Sequence, residues 1–155
     1  MADDARWTTQ QKKTIGDVAV DGLLAGMTAG LVMAGVLLVL RLLDGAGVAE
    51  TLGRFDPGSN NSPIVGGLMH LAVAGLDGAL FALAYYTLRR RLPVLGHYSW
   101  LAGAAYGLVL WLVAQSVLMR ELNAGLAVIA PWQFALAHLA FGIVLGYAIG
   151  RHAGE

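Results

Sequence analysis

Four stretches of this chain stay apolar for longer than a buried helix of a soluble domain requires. Gly22–Leu40 runs for 19 residues with Thr28 as its one polar side chain. Ile64–Leu88 is interrupted by His70 and Asp77, and Ser99–Met119 is polar only at its ends and at Gln115–Ser116. Trp132–Gly150 has Gln133 at its mouth and His138 inside. At ~1.5 Å per residue, each run crosses a hydrocarbon core of about 30 Å as a helix. The pattern predicts an all-α integral membrane protein, a bundle of four transmembrane helices over about 18–43, 64–89, 99–120 and 132–150. A single domain then covers 1–155, with a cytoplasmic N-terminal segment at 1–15. The first span has no short apolar core followed by a small-residue cleavage site, so it reads as retained.

The polar segments set the connections. Asp56-Pro57-Gly58-Ser59-Asn60-Asn61-Ser62-Pro63 is dense turn chemistry and closes an outer loop over 42–62. The 92–98 segment is a short inner loop. A second outer loop follows over 120–131, whose apolar part, 124–130, is expected to lie along the interface. Arg6, Lys12, Lys13, Arg89, Arg90, Arg91 and Arg151 fall on one side, and Arg41, Arg54 and Arg120 on the other. Seven against three places both termini in the cytoplasm. Trp100 and Trp132 begin their spans, where an amphipathic ring prefers the interface.

Composition narrows the functional classes. Charged residues make up 13% of the chain, against about 25% in a soluble domain. The net charge of zero gives no field that would recruit nucleic acid. Without cysteine there is no disulfide, thiolate metal site or cysteine nucleophile. No nucleophile–base pair, HExxH or phosphate loop is present, so the chain is expected not to be an enzyme.

The two halves resemble each other. Leu24-Ala25-Gly26 and Gly30-Leu31-Val32 recur as Leu101-Ala102-Gly103 and Gly107-Leu108-Val109. Pro63, Leu68, His70, Leu71, Ala72 and Gly78 recur at a constant offset of 68 as Pro131, Leu136, His138, Leu139, Ala140 and Gly146. Two pseudo-repeated helical pairs, inserted in the same sense, would be related by an axis along the membrane normal. Gly26, Gly30, Gly78, Gly103, Gly107, Gly142 and Gly146 stand at small-xxx-small spacing, which lets helix backbones approach closely.

His70 and His138 lie at equal depth and each precedes a small residue by four, so both are expected at helix interfaces. Three chemistries suit them. As neutral rings they hydrogen-bond to each other, to Gln115 or to a backbone carbonyl. As a pair they supply axial ligands to haem b. With Met69 they hold copper, which takes imidazole and thioether. Asp77 returns to nearly the same face as His70, roughly 10 Å further along the helix. A carboxyl there is a buried polar group, and it opens the alternative of a proton or ion conductor.

The run Ala25-Gly26-Met27-Thr28-Ala29-Gly30 and the helices of the form His-x3-small-x3-Gly resemble those of small four-span YagU-like membrane proteins. The resemblance implies a prokaryotic cytoplasmic (inner) membrane protein and brings no catalytic residues. In form it is analogous to accessory subunits of respiratory complexes. The expected function is thus a non-catalytic structural or accessory subunit without a cofactor. Its partners would be the lipid bilayer and other integral membrane subunits, or further copies of itself, and the small-residue stripes would provide the contact surface.

Overall fold

The computed structural model describes residues 13–58, 60–116 and 126–152. Five helices follow one another: α1 (Ile15–Leu43), α2 (Val48–Gly53), α3 (Pro63–Arg91), α4 (Ser99–Val113) and α5 (Pro131–His152). The described residues contain no strand. α1, α3 and α5, together with α4 and its continuation to Ser116, are long and apolar enough to cross a membrane. Each is apolar around most of its circumference, and large side chains such as Ile64 and Leu76 stand exposed on the bundle surface. In a membrane these faces meet lipid.

Helix boundaries follow local chemistry. α1 starts earlier than the apolar run because Thr14 caps it. The Asp17 N–H donates to Thr14 Oγ1 at 3.1 Å, while the Thr14 N–H donates to Asp17 Oδ2 at 2.8 Å. α3 begins at Pro63 behind the Ser62 cap and ends on Arg89, Arg90 and Arg91, where the helix dipole favours cations. α4 passes into a π-turn over 114–116. The expected end of this span, near 120, lies outside the described residues, as do most of the expected N-terminal segment and Arg120.

The helices associate in pairs. α1 packs along α3 and α4 along α5, and α1 against α5 joins the pairs. Backbones approach closely within each pair. A Cβ built on Gly78 would stand 2.5 Å from Gly26 Cα, and one on Gly103 would stand 2.7 Å from Gly146 Cα. Gly22 and Gly30 take up Ala82 and Ala74 in the first pair, and Gly107 and Gly142 meet in the second. Leu37, Phe81, Ala137, Phe141 and Leu145 fill the centre between the pairs.

Two connections carry local structure that the sequence expectation did not include. The 42–62 loop contains α2, too short to show a helical period. In the described part of the 124–130 segment a 3₁₀ turn (Leu126–Val128) forms, and Leu126 and Ile129 turn into the core while Val128 stays exposed. Their apolar side chains join the buried cluster that also holds Phe134.

Candidate functional site: a cavity between the helical pairs

The bundle holds a partly open cavity of about 410 Å³ near the end opposite the start of α1. It exists because the tight contacts lie within each pair, while α3 and α4 touch mainly lower down. There the Tyr106 hydroxyl donates to the Asp77 carbonyl oxygen at 3.1 Å, and the Tyr106 ring lies 5.1 Å from Phe81. Above this bridge the described residues leave a space between the pairs. α3 contributes Met69, His70, Val73 and Asp77 to its wall; α5 contributes Phe134, His138 and Phe141. Met33 of α1, Leu110, Val113 and Ala114 of the α4 arm, and Leu126 of the turn before α5 add to it.

The roof is the loop after α1. Asp56 is buried, and its carboxylate accepts from the Gly58 N–H at 2.9 Å and the Ser62 N–H at 2.7 Å. This double acceptance folds the turn back over the bundle. The loop seats where side chains are missing, since a Cβ on Gly66 would strike the Leu52 carbonyl and one on Gly53 the Asn61 carbonyl. Seated in this way, Phe55 and Pro57 face the cavity, and the Phe55 ring lies 5.0 Å from that of His70. A polar clasp ties the roof to α5. Buried Gln133 donates from Nε2 to Asp44 Oδ2 at 2.6 Å, and Arg41 stands 3.8 Å from both Asp44 and Glu50.

His70 and His138 enter the wall from different helices, each seven residues after the proline that opens it. His70 reaches across to α1, where Nε2 donates to the Gly30 carbonyl at 2.9 Å. His138 bonds within its own helix, Nδ1 to the Phe134 carbonyl at 2.8 Å. The Phe134 ring meets the His138 ring edge-on at 4.4 Å. A carbonyl oxygen has no proton to give, so in a neutral imidazole the nitrogen facing it carries the N–H. That fixes both tautomers: the remaining lone pair is at Nδ1 in His70 and at Nε2 in His138.

Of the residues singled out in the sequence, His70, His138, Asp77 and Met69 therefore share one cavity. Gln115 lies in the π-turn, half-buried, and is not part of the wall. Neither histidine bonds to Gln115 or to the other ring in the contacts described; each uses a backbone carbonyl. Among the described residues no cluster of three His, Cys, Asp or Glu side chains is placed to hold a metal. Sequence reading missed Met33, Phe55, Tyr106 and the Gln133–Asp44 clasp. It also missed Phe134 and Phe141, although their helical spacing to His138, four before and three after it, was a signal that could have found them.

The model of DUF6789, a family of unknown function, matches residues 16–155. No curated protein and no solved structure matches the chain.

Proposed function

The chain belongs to DUF6789, and we propose that it is a membrane-embedded binding protein whose cavity takes a small lipophilic guest. What carries this reading is the cavity itself: about 410 Å³, walled mainly by aliphatic and aromatic side chains, with three polar groups, His70, His138 and Asp77, converging on it. Ligand sites characteristically combine that size with an apolar wall and a few placed polar groups. A wall of four helices and a roof held by Asp56 give a guest a preformed site, which lowers the ordering cost of binding.

This reading takes the place of the accessory subunit. That role was inferred from surplus small-residue stripes, and the glycines of those stripes make their close contacts inside the two pairs. The two pairs are, in our reading, copies of one helical hairpin, with Gly26 against Gly78 answering Gly103 against Gly146. The Lys and Arg asymmetry puts both termini in the cytoplasm, and the YagU-like resemblance favours a prokaryotic cytoplasmic membrane.

The redox alternative has weaker support. Axial ligation of haem b through Nε2 would require His70 to give up its bond to Gly30, and among the described residues no cluster of three His, Cys, Asp or Glu side chains is placed to hold copper. Conduction through Asp77 would need a water path through the Tyr106–Phe81 contact beneath it.

Photoaffinity labelling with an alkyl diazirine in proteoliposomes tests the proposal. Label is expected to concentrate on α3 and α5 wall peptides and to fall in Ala114→Phe, which fills the cavity. Even labelling of all lipid-facing helices, unchanged by Ala114→Phe, would overturn it. A visible spectrum of the same preparation is expected to be featureless; a Soret band lost in both His70→Ala and His138→Ala would establish the haem reading instead.

A further inference from the structure

The hydrogen bonds of the two histidines say what kind of guest the cavity recognises. Each ring has one N–H, and each N–H is already spent on a backbone carbonyl, that of Gly30 or that of Phe134. An uncompensated charge in a membrane interior is costly, so both rings are taken as neutral. What they then offer a guest is two lone pairs, His70 Nδ1 from α3 and His138 Nε2 from α5, and no donor. Asp77, further down α3, adds a carboxyl group that accepts when ionised and supplies at most one donor when protonated.

The apolar part of the wall is aromatic where it adjoins these nitrogens. Phe55 packs against His70 at 5.0 Å, and Phe134 against His138 at 4.4 Å. Flat rings suit such surroundings through offset and edge-to-face contacts. The cavity also reaches the bundle surface between α3 and α4. The wall residues Met69, Val73 and Val113 are 41%, 51% and 48% exposed, on faces that meet lipid when the helices span a membrane. A chain attached to a bound ring could leave by that gap into the bilayer.

Resting on the cavity reading above, we propose that the guest is the reduced, dihydroxy form of a lipid-tailed aromatic, a hydroquinone bound in preference to the matching quinone. Two phenolic hydroxyls donate to the two imidazole lone pairs. The quinone presents two carbonyl oxygens, acceptors facing the two imidazole lone pairs, and Asp77 can donate to at most one of them. A buried acceptor left without a donor costs enough to weaken binding at least roughly tenfold, and sites built around a ligand hydroxyl discriminate strongly against analogues without it.

The test is anaerobic isothermal titration of the full chain in lipid nanodiscs, with empty nanodiscs as the blank. Four ligands share one tail: decylhydroquinone, its dimethyl ether, decylbenzoquinone and decylbenzene. The hydroquinone is expected to bind at least tenfold more tightly than the other three. His70→Phe and His138→Phe, which keep a ring but remove the lone pair, are each expected to reduce that preference. The dimethyl ether makes the same comparison on the unaltered protein, so the test survives a variant that fails to fold. Equal or tighter binding of the quinone or the ether, or a preference that outlasts both Phe variants, would overturn the inference. Decylbenzene binding as well as the hydroquinone would overturn it too, while leaving the cavity reading intact. If no ligand binds above empty nanodiscs, both fall together.

Discussion

Glycine and histidine carry different loads in these helices, and substitution should separate them. A Cβ on Gly78 would meet Gly26 Cα at 2.5 Å and Gly26 N at 2.8 Å; one on Gly146 would meet Gly103 Cα at 2.9 Å. These are backbone atoms, which cannot rotate away as a side chain can. Gly78→Leu and Gly146→Leu are therefore expected to cost about 1–3 kcal/mol or more and to lower thermal stability in detergent sharply. His70→Gln and His138→Gln retain a donor for the carbonyl each ring now uses. The His70 bond crosses helices, where such bonds average about 0.6 kcal/mol, and the His138 bond lies within α5, so the Gln variants should unfold within a few degrees of the parent. If Gly→Leu is tolerated at both sites, the helices are not in backbone contact there. The sequence placed both histidines on the small-residue face, because spacing along a helix is enough for that. It did not reveal their partners. Which carbonyl His70 meets depends on the register of α1 against α3, and that is set by how Gly26 seats on Gly78.

Elements whose order comes from periodicity were legible; those ordered by a few specific hydrogen bonds were not. Four apolar runs became four long helices, with starts adjusted by caps such as Thr14 and Ser62. The loop over 42–62 reads in sequence as turns and polar residues. Nothing in it announces that buried Asp56 gathers two N–H groups and lays Phe55 on the cavity. The role of Asp56 is testable. Asp56→Ala leaves the Gly58 and Ser62 N–H groups without their acceptor, at about 1–3 kcal/mol if they remain buried. The expected result is faster amide exchange over 54–66 and loss of guest binding, with the exchange of α4 unchanged. Asp56→Asn keeps one carbonyl oxygen and should fall between the parent and the Ala variant. If exchange in the roof does not respond to Asp56→Ala, the loop is held by other contacts, with Gly53 and Gly66 the first to examine.

For the whole molecule, small-residue stripes foretell which faces come together but not how the two resulting pairs meet. The cavity belongs to that second step: α1 joins α5, α3 stays apart from α4 above Tyr106, and the unfilled volume lies between. No periodicity within a single helix encodes a gap between two of them. What the sequence does address is which way the bundle faces, and this decides where a guest would come from. With both termini inside, the roof and the α3–α4 gap belong to the outer leaflet half. With the opposite orientation the same cavity draws on the inner leaflet. The chain has no cysteine, so single thiols report this without background. Gly58 in the roof and His97 in the connection after α3 are both exposed and stand at opposite ends of the bundle. In intact cells a membrane-impermeant maleimide is expected to label Gly58→Cys and to leave His97→Cys unlabelled until the membrane is permeabilised. The reverse pattern would overturn the seven-to-three distribution of Lys and Arg as a guide here, and would move the site to the cytoplasmic half of the bilayer with its chemistry unchanged.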